Sequence, residues 1–245
     1  VAKLKNPHVR QKLIEEVESS THPARGMMLN FEKMFLLGDP PQYEQAPDET
    51  IAAIARKNRC HPVEVAIDGM LARGGNGILY MAFLNYANGD LEPSLEMMKH
   101  PHTVMGLADG GAHVGLICDA SFPTTMLTHW TRDRTRGEKL PLEFAIKCYT
   151  KDSAEAVGLY DRGVLAQGYK ADINVIDYEK LRLHSPEIVY DLPAGGKRLN
   201  QLADGYTATI VNGVITYEDG VSTGALPGRL IRGAKNAPAL AQSTE

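Results

Sequence analysis

The sequence LADGGAH at residues 107–113 is the part of this chain best suited to chemistry. An apolar run ends there in a carboxylate, Asp109, and the two glycines that follow allow the backbone to turn tightly beside it. In a barrel of alternating strands and helices, catalytic groups lie at the carboxyl ends of the strands. Asp109 is therefore a candidate metal ligand, general base or both, although Asp-Gly-Gly is also ordinary turn chemistry. His113 is a candidate substrate contact, or a histidine hydrogen-bonded within its own loop.

Other polar residues give weaker indications. His100 and His102 alternate as metal-binding histidines do, but a proline separates them and they precede the run that leads to Asp109. We therefore expect a loop there rather than a ligand pair. Asn85 follows an apolar run at residues 78–84, where we expect either a substrate-facing loop or an ordinary turn.

The sequence lacks the common motifs of a complete catalytic site. A catalytic zinc takes about three protein ligands, mostly histidine. The chain has no His-x-Glu-x-x-His, no Cys-x-x-Cys, and no His-x-His other than the one that contains proline. It also has no phosphate-binding glycine loop. On its own, the chain offers one good carboxylate.

Composition and charge exclude several classes of partner. The 245 residues carry 26 Lys and Arg against 30 Asp and Glu, a net charge of −4, whereas nucleic-acid binders have a basic excess. No apolar run approaches the roughly 18 residues of a membrane span, and no charged-then-apolar stretch lies near Val1, so we expect neither an anchor nor a signal peptide. The three cysteines are widely spaced, which favours reduced thiols and a cytoplasmic protein.

Apolar periodicity predicts an α/β fold up to about residue 160. The first third has the spacing of amphipathic helices, and two short apolar runs are typical of buried strands in a parallel sheet. The predicted strands lie at residues 78–84 and 103–108, and further helices at 91–98, 124–134, 142–149 and 153–158. Alternation of strand and helix indicates a parallel sheet.

The pattern changes near residue 161 to short strands separated by turns. We predict strands at 171–177, 207–211 and 214–218, and the last two flank Asn212-Gly213, a strong hairpin sequence. The chain is thus expected to contain a barrel-like part at residues 1–160, a small β part at 161–233 and a tail at 234–245.

Seven stretches, in the correct order, resemble the N-acyl-D-amino-acid deacylases of the amidohydrolase superfamily. They lie at residues 106–124, 128–134, 158–168, 171–177, 191–196, 210–213 and 223–229. The resemblance implies the C-terminal portion of a (β/α)8 barrel followed by strands of a small β-sandwich. It implies zinc-dependent hydrolysis of the amide bond of an N-acyl-D-amino acid. Asp109 would then bind the metal, take a proton from the attacking water and hand it to the leaving amine.

The resemblance also implies that half of the enzyme lies elsewhere. A complete barrel takes about 250 residues, whereas about 160 precede the β part here, and the chain begins at Val1. The family's other metal ligands, a His-x-His among them, have no counterpart. We therefore expect the N-terminal half, in the same polypeptide or a separate one, to be a partner of this chain, because an open half-barrel leaves strand edges unpaired. The sequence leaves open whether the protein forms a homo-oligomer.

One departure from the deacylases affects the substrate. The best-known members carry an arginine soon after the ligand aspartate, and it grips the substrate's carboxylate. Residues 118–123 contain no arginine. Either Arg132 or Arg134 replaces it, or the substrate carboxylate is bound otherwise, or the substrate is not a simple N-acyl-D-amino acid. Ser121, in this stretch, joins His113 and Asn85 as a candidate substrate contact. Opening of a cyclic amide and a non-catalytic interaction module stay open as alternatives.

The isolated 245-residue chain is expected not to hydrolyse N-acyl amino acids when zinc is supplied, because one carboxylate does not make a zinc site. The measurement is the release of free amino acid over the uncatalysed rate. Clear turnover by the chain alone would contradict the expectation.

Overall fold

The computed structural model describes residues 1–106, 109–111 and 113–239. The chain divides into two units, Val1–Glu96 and Met97–Glu245. The predicted division at 1–160, 161–233 and 234–245 stays a prediction, and residues 240–245 of that tail lie outside the described residues. Every helix of the described part is too short or too polar to cross a bilayer.

The first unit is mostly helical, as the periodicity predicts. Its elements are α1 (Pro7–Ser19), α2 (Arg25–Met28), β1 (Met34–Leu37), α3 (Ile51–Asn58), α4 (Pro62–Gly75), β2 (Ile78–Met81) and the start of α5 (Glu92–Lys99). The three longest helices begin at side chains that accept a hydrogen bond from the first turn. Asn6 accepts from the backbone N–H of residue 8, Thr50 from residue 53 and His61 from residue 63.

Helices α3 and α4 pack against β1 to form the main core of the first unit. Its buried side chains are Met34, Ile51, Ala55, Val65 and Ala66. The amphipathic spacing predicted for the first third of the chain thus places Ile51 and Ala55 of α3 in the core. A smaller cluster contains Phe35 of β1 with Ala82 and Tyr86, which follow β2. The Phe35 ring lies 6.2 Å from that of Tyr86, edge to face.

The strand predicted at residues 78–84 exists, but its predicted pairing is wrong. β2 runs antiparallel to β1, with Leu37 opposite Ile78 and Met34 opposite Met81, and it is half-buried rather than fully buried. A single crossover helix returns the chain for a parallel strand. Here two helices, α3 and α4, lie between β1 and β2, and the second strand runs the other way.

The prediction of a second buried strand at residues 103–108 is wrong for the part that the structure describes. Residues 103–106 form no strand, and Leu107 and Ala108 lie outside the described residues. The hydroxyl of Thr103 donates to the carbonyl oxygens of Met97, at 2.6 Å, and His100, at 2.8 Å. These bonds close a turn after α5, and Val104 is 55% exposed.

The helices of the second unit lie where the sequence predicts them. α6 (Phe122–Thr125) continues as a π-helix over Met126–Asp133, and α7 (Leu142–Lys147) continues as a π-helix over Cys148–Asp152 into α8 (Ser153–Ala156). A 3₁₀ turn at Asp119–Ser121 leads into α6. His129 and Trp130 are buried in the first π-helix.

The β part of the second unit confirms the predicted strands. Its strands are β3 (Ile173–Ile176), β4 (Arg182–Leu183), β5 (Glu187–Leu192), β6 (Gly196–Asn200), β7 (Ala203–Asp204), β8 (Tyr206–Val211), β9 (Val214–Glu218) and β10 (Val221–Ser222). Asn212 and Gly213 both have positive φ, 50° and 79°, as the predicted hairpin turn requires. One sheet has the order β10-β9-β8-β3, and β4 pairs with β7 and β5 with β6.

All sheets of the described residues are antiparallel. The parallel strands that the α/β fold class predicts are therefore not among them. The β-sandwich stays a prediction.

The substitution Phe35→Ala is expected to lower the free energy of unfolding by about 3–5 kcal/mol, because it empties a site in the smaller cluster of the first unit. Phe35 is 1% exposed, whereas Phe83, which follows the end of β2, is 55% exposed. Phe83→Ala is the matched control and should cost less than about 1 kcal/mol. Urea denaturation followed by circular dichroism measures both, and equal losses would contradict the packing described here.

Candidate functional site

Asp109 lies in a turn of the second unit with its side chain exposed. The next residue, Gly110, packs against the 3₁₀ turn that precedes α6. A Cβ atom at Gly110 would lie 3.4 Å from the backbone nitrogen of Ala120 and 3.5 Å from its Cα. Two segments about ten residues apart in sequence thus lie next to one another, with room for little more than a methyl group between them.

Asp119 is the second carboxylate of this site. Burial raises the pKa of Asp119, the negative charge of Asp109 raises it further, and a hydrogen bond from the backbone of Asp109 acts in the opposite direction. The two carboxylates are therefore electrostatic neighbours. The sequence analysis did not single out Asp119, because an aspartate in a short turn carries no periodic pattern.

Cys118 precedes Asp119 and is half-buried. Burial raises the pKa of the Cys118 thiol, and the negative charge of Asp119 raises it further. The thiol lies 3.8 Å from Oε1 of Gln201. Cys118 is thus a protonated thiol at neutral pH.

Ser121 ends the same turn and is tied to the strands of the β part. Its hydroxyl lies 2.5 Å from Oε1 of Gln201 and 3.2 Å from the carbonyl oxygen of Cys118. Gln201 in turn donates from Nε2 to the carbonyl oxygen of His184, at 2.9 Å. Gln201 was missed in the sequence because nothing in it signals a contact across 80 residues.

His113 lies in the loop that follows Asp109, with its side chain exposed. Its φ of 45° is uncommon for a residue with a side chain. The carbonyl oxygen of His113 accepts hydrogen bonds from the backbone of Leu116, at 2.7 Å, and of Ile117, at 3.1 Å. The backbone therefore closes the loop and leaves the imidazole at the surface.

Asn85 belongs to the first unit. It is exposed, with a φ of 56°, and lies in the turn after β2. The adjacent Tyr86 is anchored by its hydroxyl, which donates to the carbonyl oxygen of Gln45 at 2.5 Å. Asp109, His113 and Ser121 therefore share one loop region of the second unit, and Asn85 is not part of that region.

The remaining candidates have structural contacts. His100 and His102 form the expected loop, in which the backbone N–H of His102 donates to Nδ1 of His100 at 3.2 Å. Arg132 donates to the carbonyl oxygens of Tyr178 and Leu181. Arg134 is 1% exposed and lies over the Trp130 ring.

The side chains present do not complete a metal site. Within residues 1–106, 109–111 and 113–239, no group of three or more His, Cys, Asp or Glu side chains could hold a metal ion. Asp109 and Asp119 supply two carboxylates, whereas a catalytic zinc takes about three protein ligands, mostly histidine.

Comparison with known proteins decides the family. Residues 24–217, which are most of the chain, match the amidohydrolase family. The chain belongs to this family. The matched region of this amidohydrolase includes Asn85, Asp109, His113, Ser121 and Gln201. Membership supports a hydrolase and implies a TIM-barrel-type fold, and amidohydrolases typically bind metal ions. No curated protein and no solved structure matches the chain closely enough to show a relationship.

The substitution Asp119→Asn is expected to speed the labelling of Cys118 by a thiol reagent at pH 8 by about two- to fivefold. It removes a negative charge that raises the pKa of the thiol, so a larger fraction is thiolate. Mass spectrometry of the labelled peptides gives the rate at each cysteine, with Cys60 as internal control. An unchanged rate at Cys118, or an equal rise at Cys60, would show that the Asp119 charge does not act on this thiol.

Proposed function

We propose that this amidohydrolase hydrolyses the amide bond of N-acyl-D-amino acids and that Asp109 is its catalytic carboxylate. The observation that carries the proposal is the exposed Asp109 side chain on a turn packed against the Asp119–Ser121 turn, in a chain of this family. The reaction breaks the C–N bond of the amide and forms a C–O bond. It releases a carboxylate and a free D-amino acid.

Asp109 acts in this proposal as the group that moves the proton. Its carboxylate takes a proton from the attacking water and returns it to the leaving nitrogen, which would otherwise depart as an unstable anion. The exposure of the side chain supports this role, because the group must reach both the water and the substrate. A fixed backbone keeps the carboxylate in one orientation through both transfers.

His113, Ser121 and Asn85 are the proposed substrate contacts. The imidazole of His113 is exposed near Asp109 in sequence and can donate to an acyl oxygen. The hydroxyl of Ser121 donates to Gln201, and its oxygen keeps lone pairs that can accept from an amide N–H. Asn85 is exposed in the turn after β2 of the first unit.

Zinc is the proposed metal, with Asp109 as one of its ligands. Because the described residues form no complete set of ligands, we propose that the remaining ligands come from the N-terminal half of the enzyme. Exposed apolar side chains support such a partner: Leu84 is 74% exposed and Leu116 is 83% exposed. The three free cysteines support a cytoplasmic location.

Opening of a cyclic amide is the second candidate reaction. Residues 118–123 contain no arginine, and Arg134 is buried. A cyclic amide has no α-carboxylate, so it would not require a guanidinium in this loop. A panel of N-acyl-D-amino acids and cyclic imides, given to the complete enzyme, separates the two reactions.

The substitution Asp109→Asn, in the enzyme assembled from this chain and its N-terminal half, is expected to lower kcat by about 10²–10⁴-fold, because an amide cannot carry the proton. Initial rates of N-acetyl-D-amino acid hydrolysis measure the effect. Asp219→Asn is the matched control, since Asp219 is an exposed carboxylate at a φ of 46° that asparagine tolerates. A kcat for Asp109→Asn equal to that of the control would refute the role of Asp109.

A further inference from the structure

The loop that carries Asp109 is held in part by strand β6 of the β part. The backbone N–H of Leu199 donates to the carbonyl oxygen of Val114 at 2.7 Å. Leu199 also pairs with Ile188 of β5, so its position is set by a strand pair. This hydrogen bond holds the loop at Val114, just after His113.

Gln201 makes a second contact at the far end of the same loop. Its Oε1 is the shared acceptor of the Ser121 hydroxyl, at 2.5 Å, and of the Cys118 thiol, at 3.8 Å. These two residues flank Asp119, so one amide group bridges both ends of the turn. The backbone of this turn lies next to Gly110, and the Asp119 carboxylate accepts a hydrogen bond from the backbone of Asp109.

Gln201 is itself held rigidly. Its Nε2 donates to the carbonyl oxygen of His184 at 2.9 Å, and the backbone N–H of His184 donates to the carbonyl oxygen of Leu202, also at 2.9 Å. Asp204 then pairs with His184 and with Arg182, each at 2.9 Å. Hydrogen bonds from His184 and Arg182 lower the pKa of the Asp204 carboxyl, so this carboxylate is ionised at neutral pH.

We propose that Gln201 is a positioning residue for the hydrolysis assigned to Asp109: its amide locks the Asp119–Ser121 turn against the loop and so fixes the direction of the Asp109 carboxylate. The inference rests on the proposed function for its catalytic consequence. Gln201 touches neither substrate nor the reacting atoms and acts through Ser121 and Cys118. Displacement of a reacting group by about 1 Å is enough to cost about 10²-fold in rate.

The first test uses the 245-residue chain and the labelling rate of its cysteines at one pH. In Gln201→Ala the rate at Cys118 should rise about fivefold, because the turn opens more often when a hydrogen bond is lost. The rates at Cys60 and Cys148 should not change. Asn174→Ala is the matched control, since it removes an amide that accepts a hydroxyl hydrogen bond in the four-stranded sheet, from Thr209 at 2.9 Å.

A double-mutant cycle distinguishes loss of the Ser121–Gln201 hydrogen bond from simple exposure of the Cys118 thiol when the Gln201 side chain is removed. Ser121→Ala removes the donor and should also raise labelling of Cys118, while Ser121→Thr keeps the hydroxyl and should restore the slow rate. The double variant should label no faster than the faster single variant, because both changes break one interaction. Additive effects, an unchanged Cys118 rate, or an equal rise at all three cysteines would overturn the lock.

The second test measures kinetics in the enzyme assembled with its N-terminal half. Gln201→Ala should lower kcat by about tenfold or more while KM stays within about twofold, since positioning affects the transition state and not substrate binding. If the unaltered enzyme hydrolyses its substrate and Gln201→Ala leaves kcat unchanged, the positioning role is overturned. If the unaltered enzyme shows no hydrolysis, the proposed function fails, and the labelling experiment still decides whether Gln201 locks the turn.

Discussion

The Asp109 loop is held in place by hydrogen bonds from strands that follow it by about 80 residues. Leu199 fixes the loop at Val114, and Gln201 fixes the turn at Ser121. A single hydrogen bond of this kind contributes only about 1 kcal/mol of net stability. Its directional effect adds to that of the hydrogen bonds within the loop, from Leu116 and Ile117 to the carbonyl oxygen of His113. The β part thus contributes to the position of the loop that carries Asp109.

Electrostatics makes this loop region costly to fold. Burial raises the pKa of Asp119, and the negative charge of Asp109 raises it further. A raised pKa means that the folded protein disfavours the ionised carboxylate relative to the unfolded chain. Deprotonation of Asp119 with rising pH thus lowers stability, which a purely structural turn would not need to tolerate. Perturbed carboxylates of this kind are typical of functional sites.

Local sequence patterns predicted the helices, the late strands and the hairpin at Asn212, because caps, apolar spacing and turn residues act over a few positions. They failed for the pairing of residues 78–81 and for residues 103–106, where distant partners decide the outcome. An apolar run does not reveal whether its neighbour runs parallel or antiparallel. In the site, Asp109 was found from its place before two glycines, whereas Asp119 and Gln201 were missed because their contacts arise only on folding.

The central claim is that Asp109 is the carboxylate this chain contributes to the metal centre of an amidohydrolase. The most direct measurement is a crystal structure of the complete enzyme grown with zinc, with the metal located by anomalous scattering. The account predicts a carboxylate oxygen of Asp109 at about 2.0–2.2 Å from the metal. A zinc ion bound at the barrel with the Asp109 side chain directed away from it would contradict the account.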